Sequence, residues 1–260
     1  MSPANRSPRV PVRPTRIVVL GTGTGVGKTW VTRALAEALR RMNAAVMAIK
    51  PVETGVTPAS RPQAGDPRQT IRSADASAVG HHSDGEVLAS VSSRPPMAPP
   101  YSFSDPVSPH LAARRASQPI DLGRIREYVA RCEDDMTSHV TSFVLIESAG
   151  GCFSPLALGV TNADLAFALE PAVWLLVAPD SLGVLHDVSA TLGVLAARRR
   201  LPDHLVLSAA REPDASTGTN AAELQALGIV MATATLARGD AFALDPLARE
   251  LFTQARRSAR

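Results

Sequence analysis

Residues 16–29 read Arg16-Ile17-Val18-Val19-Leu20-Gly21-Thr22-Gly23-Thr24-Gly25-Val26-Gly27-Lys28-Thr29, and this stretch decides the fold. The β-branched run 16–20 has the pattern of a buried strand. Past Thr29, the apolar residues Val31, Leu35, Leu39 and Met42 fall three or four apart, on one stripe of a helix. A strand, a glycine-rich turn, Gly-Lys-Thr and a helix form a device for holding triphosphates. Glycines let backbone N–H groups point inward around the phosphates, and the helix N-terminus adds partial positive charge. Lys28 supplies a full charge to the β- and γ-phosphates, and the Thr29 hydroxyl is suited to ligate Mg²⁺. The loop is one residue longer than the usual phosphate-loop spacing, with Thr22 where a glycine is expected and Gly21 before it. Val26 stands where the dinucleotide pattern needs its third glycine, so that pattern fails.

Working outward, further apolar strands are expected at 45–49, 143–146, 173–177 and 205–207, with a last one within 229–236. Helices are expected at 73–80, 109–116, 121–138, 162–169, 182–199, 219–227 and 241–257. Residues 51–72 read as polar loop, 92–109 as a proline-rich segment and 148–160 as a glycine-containing loop. Strands that are apolar throughout, alternating with amphipathic helices, imply an α/β fold: a P-loop (Rossmann-like) parallel sheet with helices on both faces. Residues 1–15 carry four prolines and little hydrophobicity and read as a disordered tail. Residues 16–258 read as a single domain.

The 260 residues are 45% hydrophobic, enough for one substantial core, and a net charge of +3 is too small and too spread out to suggest a nucleic-acid binder. Two cysteines exclude a disulfide framework and a cysteine metal cluster. No apolar run approaches the roughly 20 residues of a membrane span, and the N-terminus has no signal-peptide core. The expectation is a cytoplasmic protein.

Three residues line up with the loop. Lys50 closes the strand at 45–49, at the carboxyl edge where open α/β sheets bind ligands. Glu147 ends the strand at 143–146, where phosphate-loop proteins keep an acid for Mg²⁺. Asp75 sits in the polar segment between them, where an ordinary surface or capping role is equally open. His81-His82 reads as solvated loop, Cys152 as a small space-filling residue, and Arg198-Arg199-Arg200 as a solvated helix end.

The chain resembles the dethiobiotin synthetases. The resembling stretches are the loop at 21–29, Lys-Pro-Val-Glu-Thr-Gly at 50–55, Ser-Ala-Asp-Ala at 73–76, Ser-Pro-His-Leu-Ala-Ala at 108–113 and Glu-Ser-Ala-Gly-Gly-Cys-Phe-Ser-Pro-Leu at 147–156. Leu-Gly-Val-Leu-His at 182–186 and Thr-Asn-Ala-Ala-Glu-Leu at 219–224 continue the order. The resemblance implies a homodimer that uses ATP and Mg²⁺ to close a ureido ring on 7,8-diaminononanoate with CO₂, through a phosphorylated carbamate.

It further implies that Gly25, Val26, Gly27, Lys28 and Thr29 hold ATP. Lys28, Lys50 and Thr24 would be catalytic. Thr24, Lys50 and Thr54 would face the diamine and carbamate. Val184, Leu185 and His186 would open a helix that catches the substrate carboxylate in the partner subunit. Thr29, Asp75 and Glu147 would hold the metal. Gly23 and Gly25 stand where acids occur in other members, and Ser148 and His186 replace a glycine and an asparagine. The run Ser208-Ala209-Ala210-Arg211 lacks the asparagine that many members offer the adenine base. A nucleotide-switch ATPase and a catalytically weakened P-loop paralogue are the competing readings.

Overall fold

The computed structural model describes residues 13–56, 83–137, 141–229 and 231–258. Its main sheet has six parallel strands in the order β10-β9-β8-β1-β5-β2: β1 is Thr15–Gly21, β2 Ala45–Ile49, β5 Ser142–Glu147, β8 Val173–Asp180, β9 His204–Ala209 and β10 Ala232–Leu236. β1 lies mid-sheet, pairing Val18 with Ile146 of β5 and Leu20 with Leu176 of β8.

Side chains alternate across each strand, so one run of apolar residues feeds two cores. Val18, Leu20, Met47, Ile146 and Trp174 face one layer of helices: α4 (Leu122–Asp134), α5 (Asn162–Ala168), α6 (Val184–Ala197) and α7 (Asn220–Ala226). Ile17, Val19, Val46, Leu145 and Val177 face the other: α1 (Lys28–Arg41), α2 (Asp84–Val91) and α8 (Asp245–Ser258). The expected parallel sheet covered on both faces is therefore present.

The differences lie in short elements. Within the expected loop 51–72, β3 (Val52–Thr54) pairs in parallel with β4 (Tyr101–Phe103) from the proline-rich segment. Three residues cannot show a period, and a parallel partner so far along the chain leaves no local signal. Residues 148–160 contain a small hairpin, β6 (Pro155–Ala157) with β7 (Val160–Thr161). A helix α3 (Pro109–Arg115) matches expectation, whereas α4 stops at Asp134 and α6 begins only at Val184. The expected helix at 73–80 lies outside the described residues. Arg198 and Arg200 are not simply solvated: Arg198 pairs with Asp164 and lies over the Phe167 ring, and Arg200 pairs with Glu170 and Asp203 and lies over Trp174.

Candidate functional site

The phosphate loop is shaped by what presses on it. Gly27 has φ 87°, and a Cβ there would lie 2.8 Å from the Ser208 hydroxyl, so conformation and space both demand glycine. Ser208 is buried in β9, and its hydroxyl donates to Val26 O (2.6 Å) and Ala178 O (3.3 Å). The sheet thereby holds the loop through a side chain that faces the backbone. From the other side, Cys152 N–H donates to Gly21 O, and Gly151 comes so close to Gly23 that a Cβ would lie 3.1 Å from its Cα. Cys152 is buried and its thiol is pushed up to about 12 by desolvation, which fits the space-filling reading.

Lys28, in the first turn of α1, is buried, and its Nζ reaches Gly23 O at 3.4 Å. Burial lowers it to about 8; Glu147 favours its charge and the Lys50 ammonium opposes it. It is a cation held ready for an anion that the loop alone does not provide.

At the carboxyl ends of β2 and β5 a second cluster forms. Glu147 is fully buried; its Oε1 accepts from Thr29 Oγ1 (2.8 Å) and from Lys50 Nζ (3.0 Å). Lys50 also pairs with Asp84. Burial disfavours the Lys50 charge, but Glu147 and Asp84 outweigh it and hold the amine at about 12. Asp84 feels the converse: burial would raise it, yet Lys50 holds it below the ordinary carboxylate range.

Asp84 was not foreseen. It opens α2, a helix started by a capping box in which Ser83 accepts from Glu86 N–H and Glu86 accepts from Ser83 N–H. Glu53 on β3 accepts Gly85 N–H at 3.1 Å, tying that helix start to the sheet-side strand next to Lys50. Ser83-Asp84-Gly85-Glu86 before Val87, Leu88 and Val91 is the signal that could have found it.

Thr24, Gly25, Val26, Gly27, Lys28, Thr29, Lys50, Thr54 and Glu147 all line one cavity of about 1080 Å³, together with Asp84 and, at the far end, Ser208–Glu212. The structure thus brings the expected phosphate-loop, lysine, threonine and glutamate residues together. It does not bring Val184, Leu185 and His186 into this cavity. Those residues open α6 after Gly183, with Val184 buried and His186 exposed, and Asp187 places an acid in the same first turn. Asp75 lies outside the described residues; among the described residues Asp84 joins Glu147 beside Lys50. Ser148, just after β5, holds a buried hydroxyl with no hydrogen-bond partner among the described residues.

Fitness for a hard divalent cation is testable on Glu147. Its Oε2 is buried with no hydrogen-bond partner among the described residues, an arrangement that costs free energy unless something positive approaches. With Thr29 Oγ1 and the Asp84 carboxylate it forms an all-oxygen donor set, which suits Mg²⁺ when phosphates complete the shell.

A family model described as an AAA domain matches residues 15–237. The ATP-dependent dethiobiotin synthetase BioD of Anaeromyxobacter sp. (strain Fw109-5) is 35% identical over 206 residues, covering 76% of this chain and 78% of its own. The same-named protein of Frankia casuarinae is 32% identical over 216 residues, covering 82% and 79%. That of Caulobacter vibrioides is 35% identical over 182 residues, covering 70% and 74%. Among solved structures, the Pyrococcus furiosus cell division ATPase MinD is 21% identical with a TM-score of 0.46, covering 92% of this chain and 88% of its own. At these identities and coverages the chain belongs to the family of ATP-dependent dethiobiotin synthetases.

Proposed function

We propose that this chain closes the ureido ring of dethiobiotin from 7,8-diaminononanoate and CO₂, with ATP as phosphoryl donor and Mg²⁺ as the metal, working as a homodimer in the cytoplasm. The observation that carries the reading is Lys50. Its ammonium is buried between Glu147 and Asp84, on the same cavity as Lys28 and Thr54. Two lysines on one phosphate cavity, Lys50 held between carboxylates and Lys28 resting on the Gly23 carbonyl, suit a reaction in which negative charge moves from one oxygen to another.

In this reading one substrate amine attacks CO₂, forming a C–N bond and losing a proton, to give a carbamate. A carbamate oxygen then attacks the γ-phosphorus, and the bond to the ADP oxygen breaks. The second amine attacks the resulting carbonyl carbon, and inorganic phosphate leaves as the ring closes. Little covalent help is asked of the protein; it positions groups and places charge. The loop N–H groups of 25–29 and Lys28 hold the triphosphate. Lys50 lies against the carbamate and the transferring phosphoryl group. Thr24 and Thr54 orient the amines by their hydroxyls. Thr29, Asp84 and Glu147 would hold Mg²⁺, which when bound offsets the triphosphate charge. Asp75, the acid suggested by the resemblance, belongs to this set only if it reaches the cluster from outside the described residues.

The dimer is supported by apolar residues that a lone chain leaves in water: Leu158 at the tip of the β6–β7 hairpin is 91% exposed, and Leu182 just before α6 is 83% exposed.

The deciding experiment incubates the protein with the diamine, bicarbonate, ATP and Mg²⁺ and looks for dethiobiotin by mass. ADP should form only when both diamine and bicarbonate are present. ADP formed equally fast without the diamine would favour a nucleotide-switch ATPase.

A further inference from the structure

The phosphoryl-transfer end of the cavity is marked by Lys50, Asp84 and Glu147, so the nucleoside of a bound ATP must leave the phosphate loop in the opposite direction. At that end the cavity is bounded by Ala209 at the end of β9, by Ala210, Arg211 and Glu212 beyond it, by Leu182, and by Trp30 from the first turn of α1. Trp30 immediately follows Thr29, so its backbone position is set by the same loop that positions the phosphates.

Trp30 is unusual for this protein. Its neighbours Lys28 and Val31 are buried, whereas its indole is 45% exposed. Among the described residues no aromatic ring and no guanidinium stacks on it, although Phe167, Trp174, Tyr101, Phe242 and Phe252 each have such a partner. Trp30 lines both this cavity and a groove of about 210 Å³ between α1 and residues 236–241. A large flat ring at the nucleoside end of a phosphate site, exposed and with no ring or guanidinium partner among the described residues, offers a stacking surface.

The opposite wall explains why a stack would be needed. Ser208, the one hydroxyl at the exit of β9, is committed to Val26 O and Ala178 O. The carbonyls of Ala210 and Arg211 accept from the Arg238 guanidinium at 3.2 and 2.7 Å. Apart from the charged side chains of Arg211, Glu212 and Asp214, the wall offers methyl groups and already engaged carbonyls, and none of its described residues supplies a side-chain amide.

We propose that Trp30 is the base-binding residue of this site, and that the base of ATP is held mainly by stacking on its indole, which recognises a nucleobase without telling one from another. This rests on the reading of the cavity as an ATP site and adds the residue that holds the base.

Three ligands separate the outcomes: ATP, GTP and inorganic tripolyphosphate, each with Mg²⁺. Tripolyphosphate carries the phosphates without a base. Binding is followed by calorimetry, and by the emission of Trp30 in a Trp174→Phe background. The wild-type protein should bind ATP and GTP within about tenfold of each other, since stacking is tolerant of base identity. Trp30→Ala should weaken both nucleotides by about tenfold or more, and raise KM for ATP with little change in kcat, while tripolyphosphate binding stays as it was. Trp30→Phe, which keeps a ring, should recover most of the loss. ATP and GTP, but not tripolyphosphate, should change Trp30 emission. Unchanged ATP affinity in Trp30→Ala, or equal loss for tripolyphosphate, overturns the assignment of Trp30 while leaving the ATP site standing. Failure of the wild-type protein to bind any of the three overturns the ATP reading itself.

Discussion

Lys28 and Lys50 are the same residue type within one cavity, yet their surroundings drive them apart. Lys28, desolvated and facing a like charge, is lowered to about 8; Lys50, between two carboxylates, is raised to about 12. Triphosphate favours the charged form of Lys28, so binding above pH 8 must take up a proton there. The affinity for ATP should therefore fall by up to about tenfold per pH unit above 8, and hold steady just below it as far as this group is concerned. Calorimetry at pH 8.5 in buffers of different ionisation enthalpy should report proton uptake, absent from Lys28→Met. Lys50 stays charged throughout this range, so its contribution appears in turnover. A cation placed on developing charge contributes on the order of 3 kcal/mol, and Lys50→Ala should lower kcat about 100-fold or more. Near-normal turnover would reduce Lys50 to a solvated strand end.

At the scale of elements, α2 stands out because its start carries Asp84. Two local devices hold that start: the Ser83–Glu86 capping box, and Glu53, which accepts Gly85 N–H. Burial pushes the Glu53 carboxyl up, and the helix N–H groups only partly offset it. Gly85 leaves the room that Glu53 needs, since a Cβ would lie 3.0 Å from Glu53 Oε2. Removing the carboxylate frees the helix start, and Asp84 with it. Glu53→Ala should raise the Mg²⁺ concentration for half-maximal activity several-fold, while the affinity for tripolyphosphate without metal stays the same. Ser83→Ala should act in the same direction and cost about 1 kcal/mol of stability. An unchanged Mg²⁺ titration in both variants would separate α2 from the metal.

For the whole molecule, the partly buried ion pair of Arg16 with Glu133 ties the start of the central strand to α4, and Arg16 also donates to Leu169 O at the end of α5. Glu133 is 5% exposed, so deleting Arg16 leaves a buried charge unpaired. Arg16→Met should cost about 3 kcal/mol, read as a lower Tm. Arg16→Met with Glu133→Leu should recover much of the loss, because two apolar side chains need no counter-charge. A double variant no more stable than the single one would show that Leu169 O, not the ion pair, is what Arg16 serves.

The sequence by itself determined the parallel sheet, the phosphate loop and the alignment of Lys28, Thr29, Lys50 and Glu147. Long apolar strands and a glycine loop leading into a helix are short-range patterns, and strand ends in a parallel sheet meet at one edge. Only the tertiary structure decided which acid joins them. Asp75 and Asp84 lie in polar sequence at similar remove from Lys50, and a pattern gives no distance across a loop; the capped start of α2 and the contact of its Gly85 with Glu53 make it Asp84 among the described residues. The pairing of β3 with β4 was equally invisible, because three-residue strands carry no period and their partner lies far along the chain. The turning of Ser208 toward the loop and the exposure of Trp30 also belong to packing, since which way a side chain faces depends on what lies beside it in space rather than in sequence.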